Sequence, residues 1–379
     1  MDKVMIIGAG CHPCGRFPGK PHTAIGREAV QLALDDAGLE FKDIQAAFCS
    51  RVFLPQCTGL KVLTQFGRTG IPIVDIEAAC ASSGAALKQA CDAILSGRHD
   101  IVLVFGVEKV GSGFLPPPNY AEWQIRMGLC QNPMYWALAA RRHMHEYGTT
   151  IEQIGRISVK NHKYGALNPL AMYRKEMTLE EILNSKPVCD PMTLYMICAP
   201  NEGAAAMVLA SEKTARRLGA RSITLAAIEH KIGRYPMLNV AAYHQSPVSD
   251  YSCATTDAAL AAYEYAGIGP QDIDVAEVQD TDAFCELEAY EHLGFCKPGE
   301  GGRLVDEGAT EIGGRIPVNT SGGLISNGEP VGASGLRQVY EMILQLRGEA
   351  GARQVQGAKA ALTHVYGADG HSAVAILTR

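Results

Sequence analysis

The chain has 379 residues, 47% apolar and 20% charged, which excludes collagen-like and disordered chains and leaves material for a large core. Lys plus Arg number 34 against 40 Asp plus Glu, a formal charge of -6, and no basic run is long enough to follow a nucleic-acid backbone or an anionic membrane. Apolar stretches such as Ile101-Val102-Leu103-Val104-Phe105 fall short of the roughly 20 residues that span a bilayer, and the N-terminus has no signal-peptide pattern, so a cytoplasmic location is expected.

Val4-Met5-Ile6-Ile7-Gly8 reads as a buried strand ending in a turn, and Glu28 to Ala37 as a helix closed by Gly38. Cys11-His12-Pro13-Cys14 has redox or metal spacing, but no second pair accompanies it, so a plain loop is expected. Ile73 to Ile76 then pairs a strand with a helical stretch from Ala81 to Leu95, and Ile101 to Phe105 opens a third unit. Strands alternating with helices imply an α/β layered fold. From about Gly111 to Met196 the pattern changes, with Pro116-Pro117-Pro118, both Trp residues and helical stretches near Tyr135 to Tyr147 and Thr178 to Ser185. This segment reads as an inserted cap over a site, and the Tyr and Met residues between Tyr120 and Tyr147 are expected in its core rather than along an acyl pocket. Gly203 to Ala210 resumes the buried-strand pattern, and β/α alternation returns from Ile223. Ser83-Gly84-Ala85-Ala86-Leu87-Lys88-Gln89 resembles Ser334-Gly335-Leu336-Arg337-Gln338, each opening an apolar helix after a turn, which suggests a duplicated core.

Three blocks can carry chemistry. In Asp75-Ile76-Glu77-Ala78-Ala79-Cys80-Ala81-Ser82-Ser83-Gly84 a strand runs into a cysteine and then a helix of small residues. Unpaired N–H groups at a helix start favour a thiolate, so Cys80 is expected to have a lowered pKa and to act as a nucleophile; the plainer reading is a core cysteine. The chain's 12 cysteines form no paired framework and are expected to be reduced. Asn319 to Gly335 is rich in glycine, which lets backbone N–H groups approach a thioester or oxyanion. Thr363-His364-Val365-Tyr366-Gly367 places a histidine at a strand end, where it can serve as acid or base.

In this order the three blocks resemble the thiolase superfamily over essentially the whole chain, and the sterol-carrier-protein-type branch most. Lys160-Asn161-His162-Lys163-Tyr164-Gly165, Tyr290-Glu291-His292-Leu293-Gly294 and Gln345-Leu346-Arg347-Gly348-Glu349 add to the likeness. The resemblance implies two βαβαβαββ halves in a five-layered α/β/α/β/α sandwich. One half would comprise residues 1–110 and 197–222 and the other 223–379, with 111–196 as an inserted loop domain. It also implies a homodimer core, and association with a small zinc-ribbon and OB-fold partner as in some members. Coenzyme A would be a co-substrate, with no resident cofactor or metal.

By the same resemblance Cys80 is the acyl-accepting nucleophile and His364 the acid/base. Gly322, Gly323, Ser334, Gly367 and Asp282 would bind substrate. Two motifs depart from the family. Its Gly-His-Pro is here Gly328-Glu329-Pro330, so Glu329 is expected to take the histidine's place as proton acceptor. Its Asn-Glu-Ala-Phe or His-Asp-Cys-Phe motif overlays Gln279 to Asp282. Gln279 can still orient water or donate to an oxyanion, Thr281 cannot replace an acid/base cysteine, and Asp282 replaces an apolar ring, an extra polar side chain that a polar or carboxylated acyl substrate would explain. The expected activity is thiolysis of a 3-oxoacyl-CoA with an unusual acyl group, aromatic or carboxylated, such as 2-benzoylsuccinyl-CoA. An acyltransferase or retro-aldolase on the same scaffold, or a non-catalytic acyl-CoA binder, are the alternatives.

Overall fold

The computed structural model describes residues 3–113, 115, 122–128, 131–234 and 253–379. The first half of the chain supplies β1 (Val4–Cys11), α1 (His22–Ala37), β2 (Ala46–Ser50), α2 (Thr58–Leu63), β3 (Ile73–Ile76), α3 (Ser82–Leu95) and β4 (Ile101–Lys109). Then come α4 (Glu122–Arg126), α5 (Asn132–Tyr147), α6 (Ile151–Leu167), α7 (Leu179–Leu183) and a hairpin of β5 (Pro187–Cys189) and β6 (Met192–Thr193). β7 (Glu202–Ser211) and α8 (Glu212–Leu218) follow. The remainder holds β8 (Ile223–Ile232), α9 (Ala254–Ala266), β9 (Val275–Glu277), α10 (Ala283–His292), α11 (Gly301–Asp306), α12 (Gly323–Asn327), α13 (Ser334–Arg347), β10 (Ala360–Gly367) and β11 (His371–Thr378). Gly38 closes α1 in the left-handed conformation, as the sequence predicts. The helix starts earlier than the apolar period shows, because Pro21 supplies the entry turn and His22 to Arg27 already wind.

Nine strands hydrogen-bond in the order β3-β2-β4-β7-β1-β8-β11-β10-β9. The order reads almost the same from either end. β2 is parallel to β4, β4 antiparallel to β7 and β7 antiparallel to β1. On the other side β9 is parallel to β10, β10 antiparallel to β11 and β11 antiparallel to β8. The outermost β3, parallel to β2, has its counterpart in the single parallel bridge between Ala276 and Val318. This is the duplication that the two Ser-Gly helix starts foretold. The halves join where Val4 to Ile6 of β1 pairs antiparallel with Ile223 to Leu225 of β8.

The strands are buried on both faces, so their sequences are continuous apolar runs rather than alternations. Alternate residues feed different cores. Ile6 of β1 joins the central core and Ile7 the outer core beneath α1. The central core takes Leu87 from α3 and Leu336, Val339 and Met342 from α13. A third core holds α9 and α10 against the far face of β10 and β11. The layers are therefore α1, sheet, α3 with α13, sheet, α9 with α10. The central layer needs small residues: a Cβ on Gly84 would come within 2.4 Å of the Ala373 Cβ, and one on Gly335 within 3.0 Å of the Ser83 Cβ. Where the two helices start, Ser50 and Ser83 hydroxyls donate to the Gly332 carbonyl at 2.6 and 2.8 Å.

Candidate active site

Cys80 sits between β3 and α3, in a turn where Ala79 takes a positive φ of 49°, strain that a non-glycine residue tolerates only when its surroundings fix it. The Ala79 N–H donates to Glu77 at 2.7 Å, and the Ala78 N–H donates to the Ser82 hydroxyl at 2.8 Å. Across from this turn the main chain of Gly367, at the end of β10, comes so close that a Cβ there would lie 2.9 Å from the Cys80 nitrogen. Only glycine permits that approach.

Glu329 is carried to Cys80 by two strand-like segments. The Glu329 N–H donates to Ala199 O at 2.8 Å, and the Asn201 N–H donates to Glu329 O at 3.1 Å. Gly328 turns in with φ 77°, and a Cβ there would strike the Asn201 side chain at 2.0 Å. The buried Glu329 carboxylate then collects three donors. Gln279 Nε2 donates to Oε1 at 2.8 Å and the Cys198 thiol to Oε2 at 3.2 Å, while the Cys80 thiol forms the third side-chain hydrogen bond. Burial outweighs these bonds and holds the Glu329 carboxyl above its usual range. Burial, followed by the Glu329 charge, pushes Cys80 well above an ordinary thiol. The lowered pKa expected from the helix start is thus corrected: the turn does supply Cys80's own N–H, but desolvation dominates. At rest Cys80 is a neutral thiol beside a base.

The pair lies on a cavity of about 300 Å³ whose walls include Trp136, Met177, Tyr173, Tyr195, Ile325 and Tyr366. Thr281, His162 and Gly367 also face it, and burial lowers His162 to about 4, leaving a neutral ring. No Lys or Arg stands among the described lining residues. The segment expected to cap the site supplies Asn132, Trp136, His162, Tyr173, Met177, Leu194 and Tyr195. Trp136 is therefore both packed core and cavity wall; Tyr120 lies outside the described residues.

Several expected site residues are elsewhere. His364 does not line the cavity; its Nε2 meets the Thr255 hydroxyl at 3.0 Å beneath α9. Strand period places 364 and 366 on one face of β10, and it is Tyr366, one step further along, that reaches the cavity, its hydroxyl 3.2 Å from Thr281 Oγ1 and 3.0 Å from Cys285 Sγ. Asp282 does not meet substrate either. It caps α10, accepting the Phe284 and Cys285 N–H groups at 2.7 and 3.1 Å, and burial raises it to about 6. Gln279 is buried behind Glu329 and orients it, and Ser334 is buried at the start of α13. Gly322 and Gly323 form a braced turn rather than an open cradle. Asp280 accepts the Leu324 N–H at 2.6 Å, and a Cβ on Gly323 would meet its carboxylate at 2.0 Å. Asn161 in turn holds Asp280 at 2.8 Å, and the neighbouring Lys160 is ion-paired with Glu286, so the Lys160-Asn161 phrase is structural. Cys11 and Cys14 are buried, and no cluster of three or more metal-binding side chains occurs among the described residues. Cys198 and Tyr366 were not singled out from sequence; a thiol before Ala199-Pro200 carries no local signal.

A layered α/β fold with a cysteine before a buried helix, a base on its thiol and an apolar cavity above it defines an acyl-transferring enzyme of the thiol type. Residues 4–213 match the thiolase N-terminal domain and residues 239–379 the thiolase C-terminal domain-like family; the chain belongs to the thiolase family, in its sterol-carrier-protein-type branch, and is an acyl-CoA acyltransferase. It is 40% identical to an acetyl-CoA acetyltransferase of Methanothermobacter thermautotrophicus over the full length of both. It is also 32% identical to the benzoylsuccinyl-CoA thiolase subunit BbsB of Thauera aromatica, covering 96% of this chain and 94% of that one. Among solved structures, the Ltp2-ChsH2(DUF35) aldolase superposes with a TM-score of 0.86 at 26% identity, covering 99% of this chain and 97% of that chain. No helix among the described residues is long and apolar enough to cross a membrane.

Proposed function

We propose that the chain cleaves 3-oxoacyl-CoA thioesters whose acyl group is bulky, uncharged and ring-bearing, with coenzyme A as the second substrate. The observation that carries this is the Cys80 thiol hydrogen-bonded to the Glu329 carboxylate at an apolar, aromatic-walled cavity. Glu329 takes the thiol proton as Cys80 sulfur attacks the 3-keto carbon, and the juxtaposed main chains of Cys80 and Gly367 would offer N–H groups to the oxygen as it acquires charge. The carbon–carbon bond breaks, leaving an acyl-Cys80 and the enolate of a shorter acyl-CoA, which gains a proton at carbon as Glu329 gives up the one it took and returns to its carboxylate. Incoming coenzyme A loses its proton to Glu329 and takes the acyl group, and Cys80 recovers a proton from the same carboxyl.

Trp136, Tyr173, Tyr195 and Tyr366 suit a flat ring. A free carboxylate such as that of 2-benzoylsuccinyl-CoA would find no cation on the described wall. The sequence expectation that Asp282 signals a polar substrate lacks support once Asp282 caps α10. A small partner protein is supported by the subunit status of BbsB and by the ChsH2(DUF35) component of the aldolase, and we place this chain in a cytoplasmic hetero-oligomer built on a homodimer. Intact-protein mass after incubation with acyl-CoA panels tests the reading. Ring-bearing acyl groups should load on Cys80 in preference to carboxylated ones, and Cys80→Ala should abolish both loading and turnover. The likeness to an aldolase favours one second reading, retro-aldol cleavage using Tyr366; it predicts instead that Cys80→Ala turns over almost unchanged.

A further inference from the structure

In the thiolytic reaction the group that hands a proton to carbon is still unassigned. When the carbon–carbon bond breaks, the departing enolate must be protonated at carbon. His364 is turned toward Thr255, and the neutral Thr281 hydroxyl is a weak acid. We propose that Cys198 is the catalytic acid that protonates the departing enolate. The inference rests on the thiolytic reading and goes beyond it.

Geometry carries the assignment. Cys198 lines the same cavity as Cys80 and shares its carboxylate, donating to Glu329 Oε2 at 3.2 Å. Its backbone is fixed on both sides, by its own N–H donating to Thr281 O at 2.9 Å and by the pairing of Pro200 with Glu329. Two thiols on one base are not equivalent. Cys80 precedes a 14-residue helix, has its own N–H on its sulfur and the Gly367 main chain beside it, so it is built to hold an acyl group. Cys198 lies in an extended segment between the 3₁₀ turn at Leu194–Met196 and β7, without a helix start behind it. Burial and the Glu329 charge keep it protonated, which suits a donor and disfavours a nucleophile.

The protons balance. Glu329 accepts the Cys80 proton during attack. The Cys198 S–H bond breaks as a C–H bond forms on the enolate, and the Cys198 thiolate recovers its proton from Glu329 across their hydrogen bond. Glu329 is then free to take the proton of coenzyme A.

Two half-reactions separate this role from a structural one. Transfer of an acyl group from benzoyl-CoA or acetyl-CoA to Cys80 exchanges one thiol for another and needs no acid at carbon. Acylation from 3-oxo-3-phenylpropanoyl-CoA or acetoacetyl-CoA breaks a carbon–carbon bond and does. In Cys198→Ser, which keeps a hydrogen bond to Glu329 but is a far weaker acid, rapid-quench mass spectrometry should show the first half-reaction within about threefold of wild type and the second slowed by about 100-fold or more. Cys198→Ala, which also takes a donor from Glu329, should slow both half-reactions, the second by about 100-fold more than the first. Equal losses in both half-reactions, or none in either, overturn the assignment while leaving the thiolytic reading intact. A wild-type chain that never acquires acyl mass from any of the four esters overturns both.

Discussion

Replacing an imidazole by a carboxylate at position 329 changes the proton ledger of the site. A histidine can be neutral and still accept a proton, whereas a buried carboxylate is a base only when charged, and burial makes that charge costly. The three donors from Gln279, Cys198 and Cys80 are what make the charged form tenable. Glu329→Gln keeps the shape and removes the base, so kcat/KM is expected to fall about 10²- to 10⁴-fold. The pH profile carries the sign. Wild-type kcat/KM should rise tenfold per pH unit until Glu329 is ionised, and level off at a pH above the 4.5 of an ordinary glutamate; the glutamine variant should lose that rising limb. An unchanged limb in the variant would assign it to another group. Cys80 and Glu329 were legible in the sequence because each lies in a local motif, a strand-to-helix turn and a Gly-x-Pro. His364 was expected at the site but lies against Thr255, since alternation tells which residues share a strand face and not which of them reaches the cavity. Cys198 was illegible because its nearness to Glu329 is made by segments more than a hundred residues apart.

At the scale of the element, α10 shows how a residue can look catalytic and serve the fold. Asp282 followed by an apolar helical run is an N-cap signal, and the motif comparison masked it. Its carboxyl titrates near 6 in the folded protein against an ordinary 3.8. The folded state therefore holds the proton more tightly than the unfolded chain, and this contribution to stability is complete below about pH 3.8 and lost as pH rises through 6. The charge left in the fold at neutral pH costs on the order of 3 kcal/mol. Asp282→Asn keeps an oxygen for the Phe284 and Cys285 N–H groups without the charge. Urea titrations should find it at least as stable as wild type at pH 8, with a flatter dependence between pH 4 and 6. Asp282→Ala also loses the cap and should fall about 1 kcal/mol below the asparagine variant. If all three proteins share one pH slope, the charge at 282 is not what sets it. The glycine-rich turn before α12 teaches the same lesson: its glycines fit closely against Asp280 and α6.

Across the whole molecule, the near-palindromic strand order raises the question of whether the halves are independent. The alternation of strands and helices and the repeated Ser-Gly starts made the duplication visible in sequence, but sequence does not say what lies between the copies. The structure puts one helix from each half in a shared central layer, where Leu87, Leu336, Val339, Met342 and Ile343 are almost fully buried. Exposing even half of that surface would cost roughly 5 kcal/mol, comparable to the lower range of a domain's net stability, and would also open the β1–β8 seam. The site is divided in the same way, with Cys80 and Cys198 from before β8 and Glu329, Thr281 and Tyr366 from after it. Neither half should fold alone. Fragments 1–222 and 223–379 expressed separately are expected to lack near-UV circular dichroism, and the intact chain to unfold in urea in a single transition followed coincidentally by far-UV dichroism and tryptophan emission. Two resolved transitions, or a natively folded fragment, would show instead that each sheet with its outer helices is self-sufficient, and that the active site is assembled by docking two stable units.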